Sequence, residues 1–403
     1  MEVTIERLGH LGDGIAPGRV FVPRTLPGEV VEGDVSDGRI DAPRIVTPSQ
    51  HRVRPPCPHY RTCGGCALQH ASDGFVADWK VGVVQAALRA QGLQDKVDGI
   101  ATSPPRSRRR AVLSGRRTKS GALVGFHAPK SDQLTAIPSC ILLDSRLMAA
   151  MPAFEALTIA GASRKAEIRL LVTAADGGVD VAVTGVKPLD AGSETELARI
   201  AGEHGLSRLT WNDEQVALIA PPIQRFAAVA VVPPPGAFLQ ATQAGEDALR
   251  ASVEAAVGDA RRILDLFAGC GTFSLPLAAR AEVHAVESDE AMIAALDKGW
   301  RMAKGLKPVT TELRDLYRQP LLSDELDRFD AVVIDPPRAG AEAQIAEIAR
   351  SGVRLVAAVS CNPVTFARDA KALNEAGFTL DRLRVVDQFR WSTHVELVAR
   401  FVR

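Results

Sequence analysis

The 403-residue chain has no run of about 18 uninterrupted apolar residues, so no membrane-spanning helix is expected. Net charge is also missing: 48 Lys and Arg balance 48 Asp and Glu. That excludes a protein basic throughout, and only a local basic patch is left as a nucleic-acid footprint. Six cysteines are too few for a disulfide scaffold. The opening Met1-Glu2-Val3-Thr4-Ile5-Glu6-Arg7 is acidic and alternating, which does not fit a signal peptide. Long internal repeats and low-complexity tracts are absent too. What remains is ordinary globular composition, 46% hydrophobic and 24% charged. At roughly 150 residues per domain the length suggests two or three. The expectation is a soluble, cytoplasmic, multidomain protein.

Turn and strand signals divide the chain in three. Residues 1–47 read as a small β unit: a turn at Gly9–Ala16, a strand at Arg19–Val22, and a turn at Leu26–Val31 leading into another strand. Short strands punctuated by Gly and Pro suit a small, OB-like barrel. Residues 48–236 have a mixed α/β pattern. Within them 75–91 looks helical, and Ile168–Val172 and Val179–Val183 look like paired strands across Gly177-Gly178. A capped helix is expected over 192–204, with Ser193 and Glu196 at capping-box spacing. The run Pro233-Pro234-Pro235-Gly236 can continue neither a helix nor a central strand and marks the next boundary. From 237 to 403 strands alternate with helices: Ile263–Phe267, Val283–Val286, Val309–Leu313, Ala331–Ile334, Leu355–Val359 and Val395–Phe401, with helical stretches at 289–304 and 365–376. This alternation predicts a mainly parallel, doubly covered, Rossmann-like α/β domain.

Chemistry-bearing residues collect where those strands end. Leu264–Phe273 (LDLFAGCGTF) is an apolar strand running into a Gly-x-Gly turn, whose Gly269 and Gly271 let the backbone approach a ligand closely. Glu287 closes the next strand, 22 residues after Asp265, where a carboxylate can accept from ribose hydroxyls. Asp315 holds a comparable edge position after Val309–Leu313. Asp335 opens the rigid Asp335-Pro336-Pro337-Arg338 turn. Cys361, in Val359-Ser360-Cys361-Asn362-Pro363, stands between a strand end and a new helix. A helix N-terminus there is expected to favour the thiolate. Glu396 is a carboxylate in an apolar run; if buried, its pKa is raised and it suits proton transfer.

Two further clusters lie upstream. Cys57, Cys63 and Cys66 fall within ten residues, with Cys140 as a fourth thiol. Four thiolates can hold zinc or an iron–sulfur cluster, and the first spacing is nearer to iron–sulfur ligation than to zinc-finger knuckles. Arg106, Arg108, Arg109, Arg110, Arg116, Arg117 and Lys119 form a basic segment that suits RNA phosphates.

Taken together and in order, the four-Cys site, DLFAGCGTFSLPLA at 265–278, DPPRAG at 335–340, SCNP at 360–363 and HVEL at 394–397 resemble the RNA 5-methyluridine methyltransferases. The resemblance covers nearly the whole chain. It implies a class I methyltransferase domain using S-adenosylmethionine, a central domain with a 4Fe-4S cluster on Cys57, Cys63, Cys66 and Cys140, and a short TRAM-like RNA-binding unit at the N-terminus. Cys361 matches the nucleophile and Glu396 the general base. Gln240, Phe267, Gly269, Gly271, Thr272, Glu287, Asp315 and Asp335 match cofactor-pocket positions. Thr242 stands where many relatives carry Asn. The implied substrate is a uridine in structured RNA, 23S ribosomal RNA ahead of transfer RNA, acted on by a monomer.

The chemistry accounts for these residue types. C5 of uracil is a poor nucleophile until a thiolate adds at C6, and a stacked base has to be flipped out to meet both thiol and methyl donor. Amino-group methyltransferases are the nearest rival. They place an aromatic residue where Arg338 stands and have no use for Cys361. A metal-bearing RNA-binding or redox-sensing protein on the same scaffold is the non-catalytic alternative.

Overall fold

The computed structural model describes residues 1–94, 96–163 and 166–403. The N-terminal unit contains two three-stranded antiparallel sheets, Glu2–Thr4 with Val30–Glu32 and Arg44–Thr47, and Arg7–Leu8 with Gly14–Ala16 and Val20–Val22. Ile5, Ala16, Val22, Val31 and Ile40 form their shared core. Among the described residues the expected barrel does not close. The strands are two to four residues long, and Ile5 N–H to Glu29 O (2.9 Å) and Glu6 N–H to Ile15 O (2.8 Å) each extend one of the two sheets by a single bond without joining it to the other. Closure needs a staggered ladder running the whole way round, which strands this short do not supply.

The central region is built on a seven-stranded mixed sheet in the order 134–136, 122–127, 110–117, 168–175, 178–184, 206–211 and 214–218. The hairpin expected across Gly177-Gly178 forms, with Val172 opposite Val181. Helices Met151–Gly161 and Ala191–Glu203 bury Phe154, Leu157, Leu197 and Ile200 against one face of the sheet. The second of these is the expected helix, but its cap differs. Asp190 is the N-cap and accepts from Ser193 N–H at 2.8 Å, while Ser193 Oγ accepts from Asp190 N–H at 2.9 Å. Ser193 is therefore the returning partner of the box, because an Asp one turn earlier competes better for the free backbone donors.

The eight-stranded sheet of the C-terminal region follows the order 309–313, 282–287, 262–266, 331–334, 355–360, 396–402, 379–387, 100–102. Its first five strands are parallel, and Glu396–Val402 runs antiparallel to both neighbours. Strand Ala331–Ile334 is buried at every position, as expected of a parallel strand covered on both faces. Helices Glu342–Arg350 and Pro363–Glu375 cover one face, and Gln243–Val257 and Glu290–Met302 the other.

The boundary drawn at 236 is only partly a structural one. Helix Asp73–Ala90 buries Val84 and Leu88 in the C-terminal core, and Ile100–Thr102 pairs with Val385–Asp387 as the eighth strand. Helix Asp73–Ala90 and strand Ile100–Thr102 thus pack with the C-terminal sheet and not with the central one. Among the described residues no helix is long and apolar enough to cross a membrane.

Candidate active site at the carboxyl edge of the parallel sheet

Strand order reverses between Arg262–Leu266 and Ala331–Ile334, and the chemistry gathers at that crevice, where open α/β sheets bind ligands. After Leu266 the backbone turns through Phe267 (φ 62°) and Gly269 (φ 55°). In front of Gly269 a Cβ would meet no atom within 4 Å, so the turn opens onto free space. Gly271 (φ 95°) is closed: a Cβ there would lie 2.9 Å from the Leu275 and Leu296 side chains. Gly269 N–H donates to Glu287 Oε2 (2.9 Å), and Glu287 Oε1 accepts from Ser288 N–H (2.7 Å) and Asp289 N–H (3.0 Å). The acid expected at this strand end is held in place by backbone donors. Phe267 packs against Tyr317 (ring centroids 5.6 Å apart), and Tyr317 N–H donates to Asp315 Oδ1 at 3.0 Å. Phe267, Gly269, Glu287 and Asp315 are therefore linked around one opening, and Thr272 lies in the same turn, half-buried.

Beneath that turn Asp265 is fully buried. Ser274 Oγ donates to its Oδ2 at 2.5 Å, and among the described residues its Oδ1 has no partner. Burial pushes its pKa up to about 7.

The second half of the site is assembled by strand register. Ser360 pairs with Leu397 in the antiparallel ladder, so the next residues along, Cys361 and Glu396, emerge beside each other. Ile334 pairs with Ala358 in the parallel direction, which brings Asp335 to the same edge. Asn362 Nδ2 (2.9 Å) and Thr365 Oγ1 (3.2 Å) both donate to Arg338 O and tie the cysteine turn to the double-proline turn. Gln240 arrives from the segment before helix Gln243–Val257, its Nε2 3.5 Å from Asp335 Oδ2. Thr242, standing in place of Asn, N-caps that helix by accepting from Gly245 N–H at 2.9 Å, a task either residue performs.

Electrostatics here differ from the expectation for the thiol. Burial raises the Cys361 pKa, and the Glu396 and Asp335 carboxyls add to the rise; Arg338 opposes them. Helix Pro363–Glu375 begins beside the cysteine, but its dipole is worth less than desolvation plus two neighbouring acids. Glu396 is 4% exposed and its pKa is pushed up to about 8, first by burial and then by Asp335. Burial and Asp265 bring Asp335 to about 7.

Several participants carried no sequence signal. Gln388, 1% exposed, donates to both Gln240 Oε1 (2.5 Å) and Glu396 Oε2. Lys80, 0% exposed, pairs with Asp387 at 2.5 Å and fixes the start of that segment. Gln240 and Lys80 lie more than 100 residues from their partners, and Gln388 follows a strand, Thr379–Asp387, whose alternating charges hid it.

The basic segment does not act as one surface. Arg109 is 3% exposed and committed to Glu246, to Gln243 Oε1 (2.5 Å) and to Gln240 O (3.2 Å). It is a tie between the central sheet and the Gln240 segment, unavailable to phosphate because the buried Glu246 needs it. Arg116 pairs with Glu167. Arg108 lies over Phe389 and Arg110 over the exposed Phe238, beside the site. Arg106, Arg117 and Lys119 are exposed.

Cys57, Cys63, Cys66 and Cys140 line one small cavity together with Tyr60, Gln69, Phe126 and Ile137. Among the described residues no three His, Cys, Asp or Glu side chains close to single-ion distances. Two sulfurs accept backbone donors: Cys63 Sγ from Gly65 N–H (3.3 Å) and Cys140 Sγ from Leu142 N–H (3.4 Å).

A family model described as tRNA (Uracil-5-)-methyltransferase matches residues 234–400. An uncharacterized RNA methyltransferase of Rhizobium meliloti is 45% identical, over 98% of each chain. A 23S rRNA (uracil(1939)-C(5))-methyltransferase of a Shewanella species is 32% identical, over 99% of this chain and 94% of its own. The chain belongs to the RNA uracil-C5 methyltransferase family. The crystal structure of the Pyrococcus abyssi tRNA (uracil-54, C5)-methyltransferase superposes on this methyltransferase with a TM-score of 0.80, covering 100% and 99% of the two chains at 23% identity, and shows the shared fold.

Proposed function

We propose that this methyltransferase transfers the methyl group of S-adenosylmethionine to C5 of a uridine in 23S ribosomal RNA, through a covalent adduct between Cys361 and C6 that Glu396 resolves. The observation that carries this reading is the convergence of Cys361, Glu396 and Asp335 on one sheet edge, beside the open Gly269 turn. S-adenosylmethionine supplies an electrophilic sulfonium methyl; Phe267, Gly269, Gly271, Thr272, Glu287 and Asp315 are the residues that would hold it. The space before Gly269 and the backbone-held Glu287 fit such a nucleoside.

Cys361 gives its thiol proton to solvent and Sγ bonds to C6, pushing the C5–C6 electron pair into an enolate. C5 takes the methyl group, the donor leaving as a neutral thioether. Glu396 then takes the C5 proton, the Sγ–C6 bond breaks, and 5-methyluridine departs as Cys361 recovers its electron pair. Because burial and then the Glu396 and Asp335 carboxyls raise the thiol's pKa, Cys361 rests as the thiol, and Arg338 is the cation that favours its ionisation. Gln240, with Asp335 behind it, presents an amide to the uracil edge.

A 4Fe-4S cluster is the group the four thiols would hold: they line one cavity, and N–H donors reach two of the sulfurs, as at cluster sites. Bound there, it would hold in place the Cys66-Ala67-Leu68 turn, whose Ala67 and Leu68 N–H groups donate to Trp391 O at 2.8 and 2.9 Å. The N-terminal TRAM-like unit and the exposed Arg106, Arg117 and Lys119 contact RNA backbone. Ribosomal RNA is favoured by the Shewanella relative, which is similar along almost its entire length. The test is nucleoside mass spectrometry of separated 23S and transfer RNA from cells lacking the protein and from their parent. Loss of 5-methyluridine from 23S RNA alone is expected; loss from transfer RNA alone would overturn the substrate assignment.

A further inference from the structure

Gln388 has none of the features that mark a catalytic residue in sequence, yet its side chain sits between the two groups on which the reaction depends. It follows strand Thr379–Asp387 and is 1% exposed. Its amide makes three hydrogen bonds. Oε1 accepts from Ala241 N–H at 2.6 Å, and Nε2 donates to Gln240 Oε1 at 2.5 Å and to Glu396 Oε2. A side-chain amide has two N–H donors, so both are used.

The direction of each bond follows from one fixed point. Ala241 N–H can only donate, so Gln388 must turn its oxygen there and its NH2 group toward Gln240 and Glu396. Gln240 must then offer its own oxygen to Gln388, which sends its NH2 group to the other side, toward Asp335. Gln388 cannot easily swing away. A Cβ on Gly245 would lie 2.5 Å from Gln388 Cβ, so the first turn of helix Gln243–Val257 packs on it, and the preceding Asp387 is locked by Lys80.

We propose that Gln388 is a positioning residue that sets both ends of the chemistry at once: it orients Gln240 so that an N–H faces the substrate, and it holds Glu396 by Oε2 so that Oε1 receives the C5 proton. This rests on the uridine-C5 reading above. An N–H at Gln240 matches a uracil carbonyl and opposes the exocyclic amine of cytosine, so Gln388 acts on base choice through Gln240. At the other end, a donor to the carboxylate favours its ionised form. The other groups facing Glu396 are Asp335, which opposes its charge, Arg338, which favours it, and Cys361, a neutral thiol at rest. Removing Gln388 leaves the acids less opposed, and Glu396 binds its proton more tightly.

The test uses the full-length protein with Gln388→Met, close in volume but without donors, and an RNA fragment carrying the target uridine. Melting temperature and S-adenosylhomocysteine binding report folding. In the variant, the rising limb of kcat against pH should move up by about one unit, a tenfold loss below the limb. The ratio of adduct formed with 5-fluorouridine RNA over 5-fluorocytidine RNA should fall by about tenfold. Gln388→Leu likewise lacks both donors without adding a charge, and the same shifts are expected if the Met variant fails to fold. An unchanged limb with an unchanged base ratio would overturn the proposal and leave Gln388 as packing. Failure of the unaltered protein to form any adduct with 5-fluorouridine RNA would instead overturn the uridine-C5 reading itself, and the proposal with it.

Discussion

Lys80→Met should destabilise the protein by an amount that depends steeply on pH. Lys80 and Asp387 are 0% and 1% exposed and 2.5 Å apart, and Lys80 Nζ also donates to Phe389 O at 3.2 Å. At an effective dielectric near 20 their attraction is about 7 kcal/mol. Removing two ions from water costs several kcal/mol each, so the intact pair contributes little net stability. Removing Lys80 alone leaves a buried carboxylate, which escapes by taking a proton. From the unperturbed Asp value of 3.8, protonation costs about 4 kcal/mol at pH 7 and under about 2 kcal/mol at pH 5. Urea denaturation followed by tryptophan fluorescence reads this locally, since Trp79 and Trp391 flank the pair in sequence. The double variant Lys80→Met with Asp387→Leu should recover most of the loss. A cost below about 1 kcal/mol at pH 7, or a double variant no better than the single, would refute the reasoning.

Thermal stability should fall as pH rises from 5 to 9, because burial raises Asp265 and Asp335 to about 7 and Glu396 to about 8. Each acid's contribution is complete below its unfolded value near 4 and is lost as pH passes its folded value. Asp265→Asn should flatten that slope in a melting series; an unchanged slope would count against it. Cys66→Ser should lower iron and acid-labile sulfide measured on anaerobically purified protein and loosen protease resistance around Trp391; full iron content would argue against ligation by Cys66. Arg117→Gln and Lys119→Gln should each reduce the slope of log Kd against log salt for RNA by about one. Arg109→Met should cost about 3–5 kcal/mol of stability by stranding Glu246, read as a drop in urea midpoint; an unchanged midpoint would contradict its role as a buried tie.

Much of the C-terminal sheet is legible in sequence because its central parallel strands are apolar runs with a marked residue at or near each carboxyl end: Asp265, Asp335 and Cys361, with Glu287 closing the neighbouring strand. Val309–Leu313 and Ala331–Ile334 match the expected bounds. Strand Thr379–Asp387 escaped because Arg382 and Arg384 alternate with Leu383 and Val385, giving a half-buried pattern that the apolar-run signal misses. The place of Ile100–Thr102 was hidden for another reason. Three residues carry no register information, and their partner lies 285 positions on (Ile100 to Val385). Local motif also could not show how neighbours act on one another. A helix start argues for a thiolate at Cys361, but burial, helped by two acids from other strands, reverses that. A run of seven basic residues suggests one surface, but burial turns Arg109 into a structural cation. Gln388 shows the same limit: its partners, Gln240 and Glu396, meet only after three segments have folded together.

The covalent mechanism is tested most directly with RNA carrying tritium at C5 of the target uridine. The release of tritium to water and the transfer of methyl groups are measured side by side for the protein and for Cys361→Ala. The account predicts one tritium released for each methyl transferred, and neither event without Cys361. Methyl transfer that leaves the tritium in place, or that continues in Cys361→Ala, would contradict attack at C6 and place the methyl group on another atom.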